Sequence, residues 1–121
     1  MDLLLLLVVF AVCAGALFSN IDYNRTHYTA EFYQISSRKL THRIRFVFLS
    51  DVHLREYGED NADLVADIRN LAPDLILLGG DLVTFPNPEY ENMLSLCRSL
   101  ADVAPLYGVL GNHESEMIYG G

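Results

Sequence analysis

Cysteine is scarce in this chain. Its 121 residues hold two, Cys13 and Cys97, with no CxxC and no Cys/His spacing. That excludes a disulfide framework and a cysteine-built structural zinc site, and both read as small apolar residues. Positive charge is scarce as well. Eight Lys and Arg stand against sixteen Asp and Glu, giving a formal net charge of −8. Such a chain has no electrostatic means of wrapping a nucleic-acid backbone, so nucleic-acid binding is not expected. The same balance suits a protein that collects divalent cations. No G-x-G-x-x-G follows the first strand-like run, which argues against a Rossmann nucleotide-binding module. No repeat is evident either, and low complexity is confined to a leucine-rich leader.

That leader has almost no charge. Asp2 is the one charged residue among the first 20, and Leu3 to Phe18 is an unbroken apolar run with small residues toward its end (Ala11, Ala14, Gly15, Ala16). A spanning helix needs about 20 apolar residues; Ser19, Asn20 and Ile21 could extend the run at the interface. The rival reading is a cleaved signal peptide. Ala14-Gly15-Ala16 would serve as its cleavage site, but the Met-Asp start lacks a basic n-region. Residues 1–19 are therefore read as a single-pass transmembrane anchor or signal, the uncleaved anchor preferred. Arg25, Arg38, Lys39, Arg43 and Arg45 all follow the run, which by the positive-inside rule puts the rest of the chain in the cytoplasm. Residues 20–43 read as a tether, in which Tyr28 to Ile35, rich in aromatic and β-branched residues, is a possible edge strand.

A regular alternation begins at residue 44. Ile44 to Leu49 (IRFVFL) is a short apolar run, hence a strand. Asp60 or Asn61 can cap a helix whose apolar positions are Leu64, Val65, Ile68 and Leu71, ended by Pro73. Leu75 to Leu78 (LILL) is a second strand. Asn87-Pro88 offers a cap and a first-turn proline to a helix striped by Tyr90, Met93, Leu94, Cys97, Leu100 and Ala101. Pro105 breaks it, and Leu106 to Leu110 (LYGVL) is a third strand. Near-continuous apolar strands alternating with amphipathic helices predict an α/β fold, a parallel sheet in a three-layer arrangement with right-handed crossovers.

In open α/β sheets the chemistry lies beyond the carboxyl ends of the strands. Ser50-Asp51-Val52-His53 follows the first strand, Gly79-Gly80-Asp81 the second, and Gly111-Asn112-His113-Glu114 the third. Taken singly, each is an ordinary loop or turn sequence. Together they gather carboxylates, imidazoles and an amide at one sheet edge. Converging carboxylates raise one another's pKa unless a cation sits between them, and an unpartnered buried charge costs several kcal/mol. A metal resolves both.

D-x-H, then G-D, then G-N-H-E, each after a parallel strand, is similar to the signature of the calcineurin-like metallophosphoesterases, over roughly residues 44–116. The apolar leader resembles that of a membrane-anchored bacterial subgroup. The resemblance implies a two-metal hydrolysis of phosphate mono- or diesters. Asp51 and His53 would bind the first divalent ion, Asp81 would bridge both, and Asn112 would bind the second. His113 would face the phosphate as general acid or charge stabiliser, and Glu114 would orient or tune His113. Oxygen and imidazole donors suit Mn, Fe or Zn, and a water bridging two such ions is deprotonated near neutral pH and can attack phosphorus. Gly80 and Gly111 would let the backbone approach the ions.

The family pattern continues with a lone His and then G-H-x-H, and this sequence has neither. His27 and His42 both precede the first motif and read as surface or strand-edge residues. The expectation is thus the N-terminal half of the domain, spanning 44–121, with an incomplete site. The alternative is a non-catalytic truncated membrane protein that binds metal weakly or pairs with a separate C-terminal half.

Overall fold

The computed structural model describes residues 3–53, 55–84, 86 and 90–120. It divides into two compact units, Met1–Tyr33 and Gln34–Gly121. In the first, helix α1 (Leu3–Thr26) is 24 residues long. Along its described length apolar side chains are exposed all round, among them Leu7, Val9, Phe10, Val12, Leu17 and Phe18. Among the described residues, no helix is long and apolar enough to cross a membrane. The spanning anchor expected at 1–19 therefore finds no support. The apolar run stops at Phe18, and the last turns of α1 carry Ser19, Asn20, Asp22, Asn24, Arg25 and Thr26.

Residues 27–36 form no regular secondary structure, so the edge strand expected at Tyr28–Ile35 is not formed. Its composition favours a strand, but a strand exists only when another pairs with it. Phe32, Tyr33 and Ile35 are instead among the most exposed large hydrophobic side chains of the described residues.

In the second unit the alternation is as expected. Strands β1 (Phe46–Leu49), β2 (Leu75–Leu78) and β3 (Leu106–Gly108) form a parallel sheet in the order β1-β2-β3. Phe46 pairs with Leu75, Leu49 with Leu78, and Ile76 with Leu106. Helix α2 (Ala62–Asn70) connects the first pair and α3 (Tyr90–Ala101) the second. Strands laid side by side in chain order by right-handed crossovers receive both helices on one face. The packing agrees: Leu64, Val65 and Ile68 of α2 and Leu96 and Leu100 of α3 share one core with Ile76 and Leu78 of β2. The strands are apolar on the other face as well, where Phe46, Phe48 and Tyr107 are 52%, 63% and 62% exposed.

Asn61 stands at the N-cap position of α2, but its side chain does not cap the helix. Its backbone is left-handed (φ 60°). Its Oδ1 accepts from the Tyr57 N–H and its Nδ2 donates to Asn92 Oδ1, so this fully buried amide joins the loop after β1 to α3. The cap expected at Asn87-Pro88 lies outside the described residues. At the far end of α2, Ala72 turns left-handed (φ 47°) directly before Pro73 and the chain enters β2. A fourth helix, α4 (Asn112–Tyr119), follows β3.

Candidate metal centre at three strand ends

Beyond the strands, the three loops continue the sheet's hydrogen bonding for one more step. Gly79 N–H donates to the Leu49 carbonyl (2.8 Å), Asp51 N–H to the Gly80 carbonyl (3.1 Å), His53 N–H to the Asp81 carbonyl (3.1 Å) and Val109 N–H to the Leu78 carbonyl (3.0 Å). The parallel register thus brings all three motifs to one edge of the sheet. Val52 is buried in the core, while Asp51 before it is exposed and His53 after it is half-buried.

The backbone here is unusual. Asp51 (φ 59°), His53 (φ 48°) and Asp81 (φ 53°) are all left-handed, as is Gly80 (φ 92°). Non-glycine residues held in this region cost about 1 kcal/mol or more each, and such outliers cluster at functional sites. Three of them among the six expected site residues is a signal that composition and spacing could not supply.

Side-chain contacts link the motifs in a chain of pairs. His53 Nε2 lies 3.5 Å from Asp51 Oδ1. The His53 and His113 rings meet edge to face, with centroids 5.1 Å apart. The His113 backbone N–H donates to Asp81 Oδ1 (3.0 Å). Asn112 opens α4 directly before His113 and is exposed. Asp51 also accepts from the Ser50 hydroxyl at 2.5 Å. So the structure brings Asp51, His53, Asp81 and His113 together, with Asn112 adjacent in the chain.

The donor types fit a divalent ion, and the pair geometry fits as well. Two donors on one ion at ~2.1 Å each sit roughly 3 to 3.5 Å apart, close to the Asp51–His53 separation of 3.5 Å. Among the described residues, however, no group of three or more His, Cys, Asp or Glu is arranged to hold a metal ion.

Glu114 occupies a place of its own. It is buried, 7% exposed. One carboxylate oxygen, Oε2, accepts from the Asp81 N–H (2.8 Å) and the Gly111 N–H (2.8 Å). The other, Oε1, accepts from the Leu82 N–H (2.7 Å) and the Val83 N–H (3.1 Å). Burial pushes its carboxyl up; the N–H groups of Val83, Asp81, Gly111 and Leu82 more than offset this and leave it below the ordinary glutamate value. The sequence carried half of this signal, a Glu at the third position of a helix, which commonly reaches back to the cap N–H. Its reach to the Asp81 loop is tertiary and was invisible there.

Gly80 and Gly111 have a local task. A Cβ on Gly80 would meet the backbone of Gly111, and a Cβ on Gly111 would meet Asp81. The two glycines let the second and third loops touch. The remaining histidines have local partners: His27 Nδ1 lies 3.0 Å from both Thr26 Oγ1 and the Tyr23 carbonyl, and His42 Nδ1 lies 3.2 Å from Thr41 Oγ1.

The sequence model of the calcineurin-like phosphoesterases matches residues 44–120. No curated protein and no solved structure matches the chain.

Proposed function

The chain belongs to the calcineurin-like phosphoesterase family, and from that premise we propose that its chemistry is the metal-dependent hydrolysis of phosphate mono- or diesters. The observation that carries the proposal is the convergence of Asp51, His53, Asp81 and His113 at the carboxyl edge of the sheet, through loops hydrogen-bonded to one another. Asp51 and His53 would hold a first divalent ion, Asp81 would stand between two, and Asn112 would contribute to the second. Bound Mn, Fe or Zn would supply Lewis acidity toward the phosphoryl oxygens and a hydroxide nucleophile at neutral pH. The chain's own part is positioning and proton transfer. His113, fixed at the start of α4 by its backbone bond to Asp81, presents an imidazole that can protonate the leaving oxygen or stabilise charge on the phosphate. Its edge-to-face contact with His53 keeps it beside the first-ion pair.

A second reading, a non-catalytic domain that binds metal weakly or pairs with a separate C-terminal half, is favoured by one observation: among the described residues, no trio of ligands is assembled. Two measurements decide between the readings. The first is Mn²⁺ binding followed by electron paramagnetic resonance, on this chain and on Asp51→Asn and Asp81→Asn. The second is hydrolysis of p-nitrophenyl phosphate and its bis-ester with and without Mn²⁺. Binding that both substitutions weaken, with hydrolysis that requires Mn²⁺ however slow, supports the enzyme. Weak binding without hydrolysis, both in this chain and in a protein extended with a calcineurin-like C-terminal half, supports the second reading. Absence of Mn²⁺ binding overturns the metal site in either.

A further inference from the structure

We propose that Glu114 is the positioning residue of this site, acting on the Asp81 loop through its backbone rather than on the imidazole of His113; the inference rests on the metal-site reading above. Four N–H groups from two loops converge on one buried carboxylate: Gly111 from the third motif, and Asp81, Leu82 and Val83 from the second. Successive N–H groups aimed at one anion form a concave donor cradle, and a carboxylate fills it well because each oxygen accepts two bonds.

The consequence falls on Asp81. This residue is left-handed, a conformation an aspartate does not adopt freely. Its N–H is held by Glu114 Oε2, its carbonyl by the His53 N–H, and its Oδ1 by the His113 N–H. Three anchors from three directions fix where the carboxylate points. Of these, the Glu114 bond is the one made by a side chain, and it belongs to the same carboxylate that ties down Gly111, next to Asn112. Removing it frees the peptide before Asp81 to rotate, and the two candidate ligands on the second and third loops lose their common reference. His113 is affected only through the backbone.

The test uses the full chain, two variants at Glu114 and one control substitution. Glu114→Gln keeps the size but replaces one acceptor oxygen with an NH₂, which cannot accept, so the cradle loses about half its bonds. Glu114→Asp keeps the charge but is one methylene short. Glu116→Gln, exposed on the same helix, is the control. Amide hydrogen exchange is measured without metal, and Mn²⁺ affinity by titration. For Glu114→Gln, exchange of the amides at Asp81–Val83 and Gly111 should rise by about tenfold or more while β2 and α2 keep their protection. Mn²⁺ affinity should fall by about 10- to 100-fold, the usual effect of losing a group that orients a ligand. Glu114→Asp should fall between, and Glu116→Gln should match the parent. Unchanged exchange at Asp81 and Gly111 in Glu114→Gln overturns the proposal. So does a loss of protection throughout β2 and α2 in both Glu114 variants, which would make Glu114 a support of the whole domain. The expected exchange pattern in a parent that binds no Mn²⁺ would leave the clamp standing and count against the metal reading alone.

Discussion

Gly80 and Gly111 meet backbone to backbone at the edge of the sheet. A Cβ built on Gly80 would lie 2.6 Å from the Gly111 Cα and 3.0 Å from the Leu110 carbonyl carbon, contacts that side-chain rotation cannot relieve. Gly80 is also left-handed, at φ 92°. Alanine there meets overpacking and backbone strain together, so Gly80→Ala should cost about 2–4 kcal/mol in urea unfolding. Gly108→Ala is the comparison. Its Cβ would meet the Leu78 side chain at 3.2 Å, and its cost should be clearly smaller. Equal costs would mean the loops separate readily and that their contact is not a constraint on the site.

Glu114 gives the domain a pH dependence of a definite sign. Its folded carboxyl lies below the ordinary glutamate value, because four backbone N–H groups more than offset its burial. An unfolded glutamate titrates at about 4.3. A group depressed on folding adds stability above its unfolded pKa, and that stability is lost as the pH falls through the folded value. The parent should therefore exceed Glu114→Gln in stability by about 1–3 kcal/mol at neutral pH. The gap should close below about pH 4. Urea melts of both proteins across that range check it, and a gap that stays constant to pH 3 would disprove the assignment.

The two faces of the sheet should respond differently to truncation. Leu100 is fully buried between α3 and β2, and Leu100→Ala should cost about 2–5 kcal/mol. Phe46 and Tyr107 lie on the opposite face and are 52% and 62% exposed. Phe46→Thr and Tyr107→Thr introduce a strand-compatible β-branched residue and should change stability by under about 1 kcal/mol. An exposed apolar patch promotes association, so light scattering should show less self-association in the double variant. Losses comparable to Leu100→Ala would mean that this face is packed in solution.

Much of this arrangement was legible in residue order. IRFVFL, LILL and LYGVL contain the strands Phe46–Leu49, Leu75–Leu78 and Leu106–Gly108, because short apolar runs bounded by turn-forming residues leave few alternatives. Leu64, Val65, Ile68 and Leu100 do face one core. Leu96, outside the expected stripe of α3, is buried there too, while Tyr90 and Leu94 of that stripe are exposed. Placing Asp51, Asp81 and Asn112 after strand ends was enough to bring them to one edge. What the order did not reveal is long-range. Tyr28–Ile35 has strand composition but no pairing partner among the described residues. Asn61 sits where a cap would, yet a left-handed backbone sends its amide to Tyr57 and Asn92. The resemblance implied that Glu114 orients or tunes His113; that its carboxylate also reaches the backbone of the Asp81 loop could not be read from residue order. Adjacency along a chain is a weak guide to contact once a helix intervenes, since neighbours in sequence lie about 100° apart around its axis.

Turnover by these 121 residues should be low, even with Mn²⁺ saturating. Asp51, His53, Asp81 and Asn112 are four candidate ligands, and two divalent ions take about four to six donors each. Water would have to fill the remainder, and ions held mainly by water are poorly placed. Misplacement by about 1 Å can cost on the order of a hundredfold in rate. The Asp51 side chain is 66% exposed and engaged within its own loop by Ser50 and His53, and Asp81 Oδ1 is already engaged by the His113 N–H. Hydrolysis of p-nitrophenyl phosphate and its bis-ester should therefore sit near background for this chain. It should rise by about a hundredfold or more in a protein extended with a calcineurin-like C-terminal half that carries the lone His and G-H-x-H. In that longer protein Asp81→Asn should return the rate to background. Robust turnover by the short chain, abolished by Asp81→Asn, would show that a second copy or other residues complete the site. No turnover in either protein would count against the hydrolase and in favour of a domain that only binds metal.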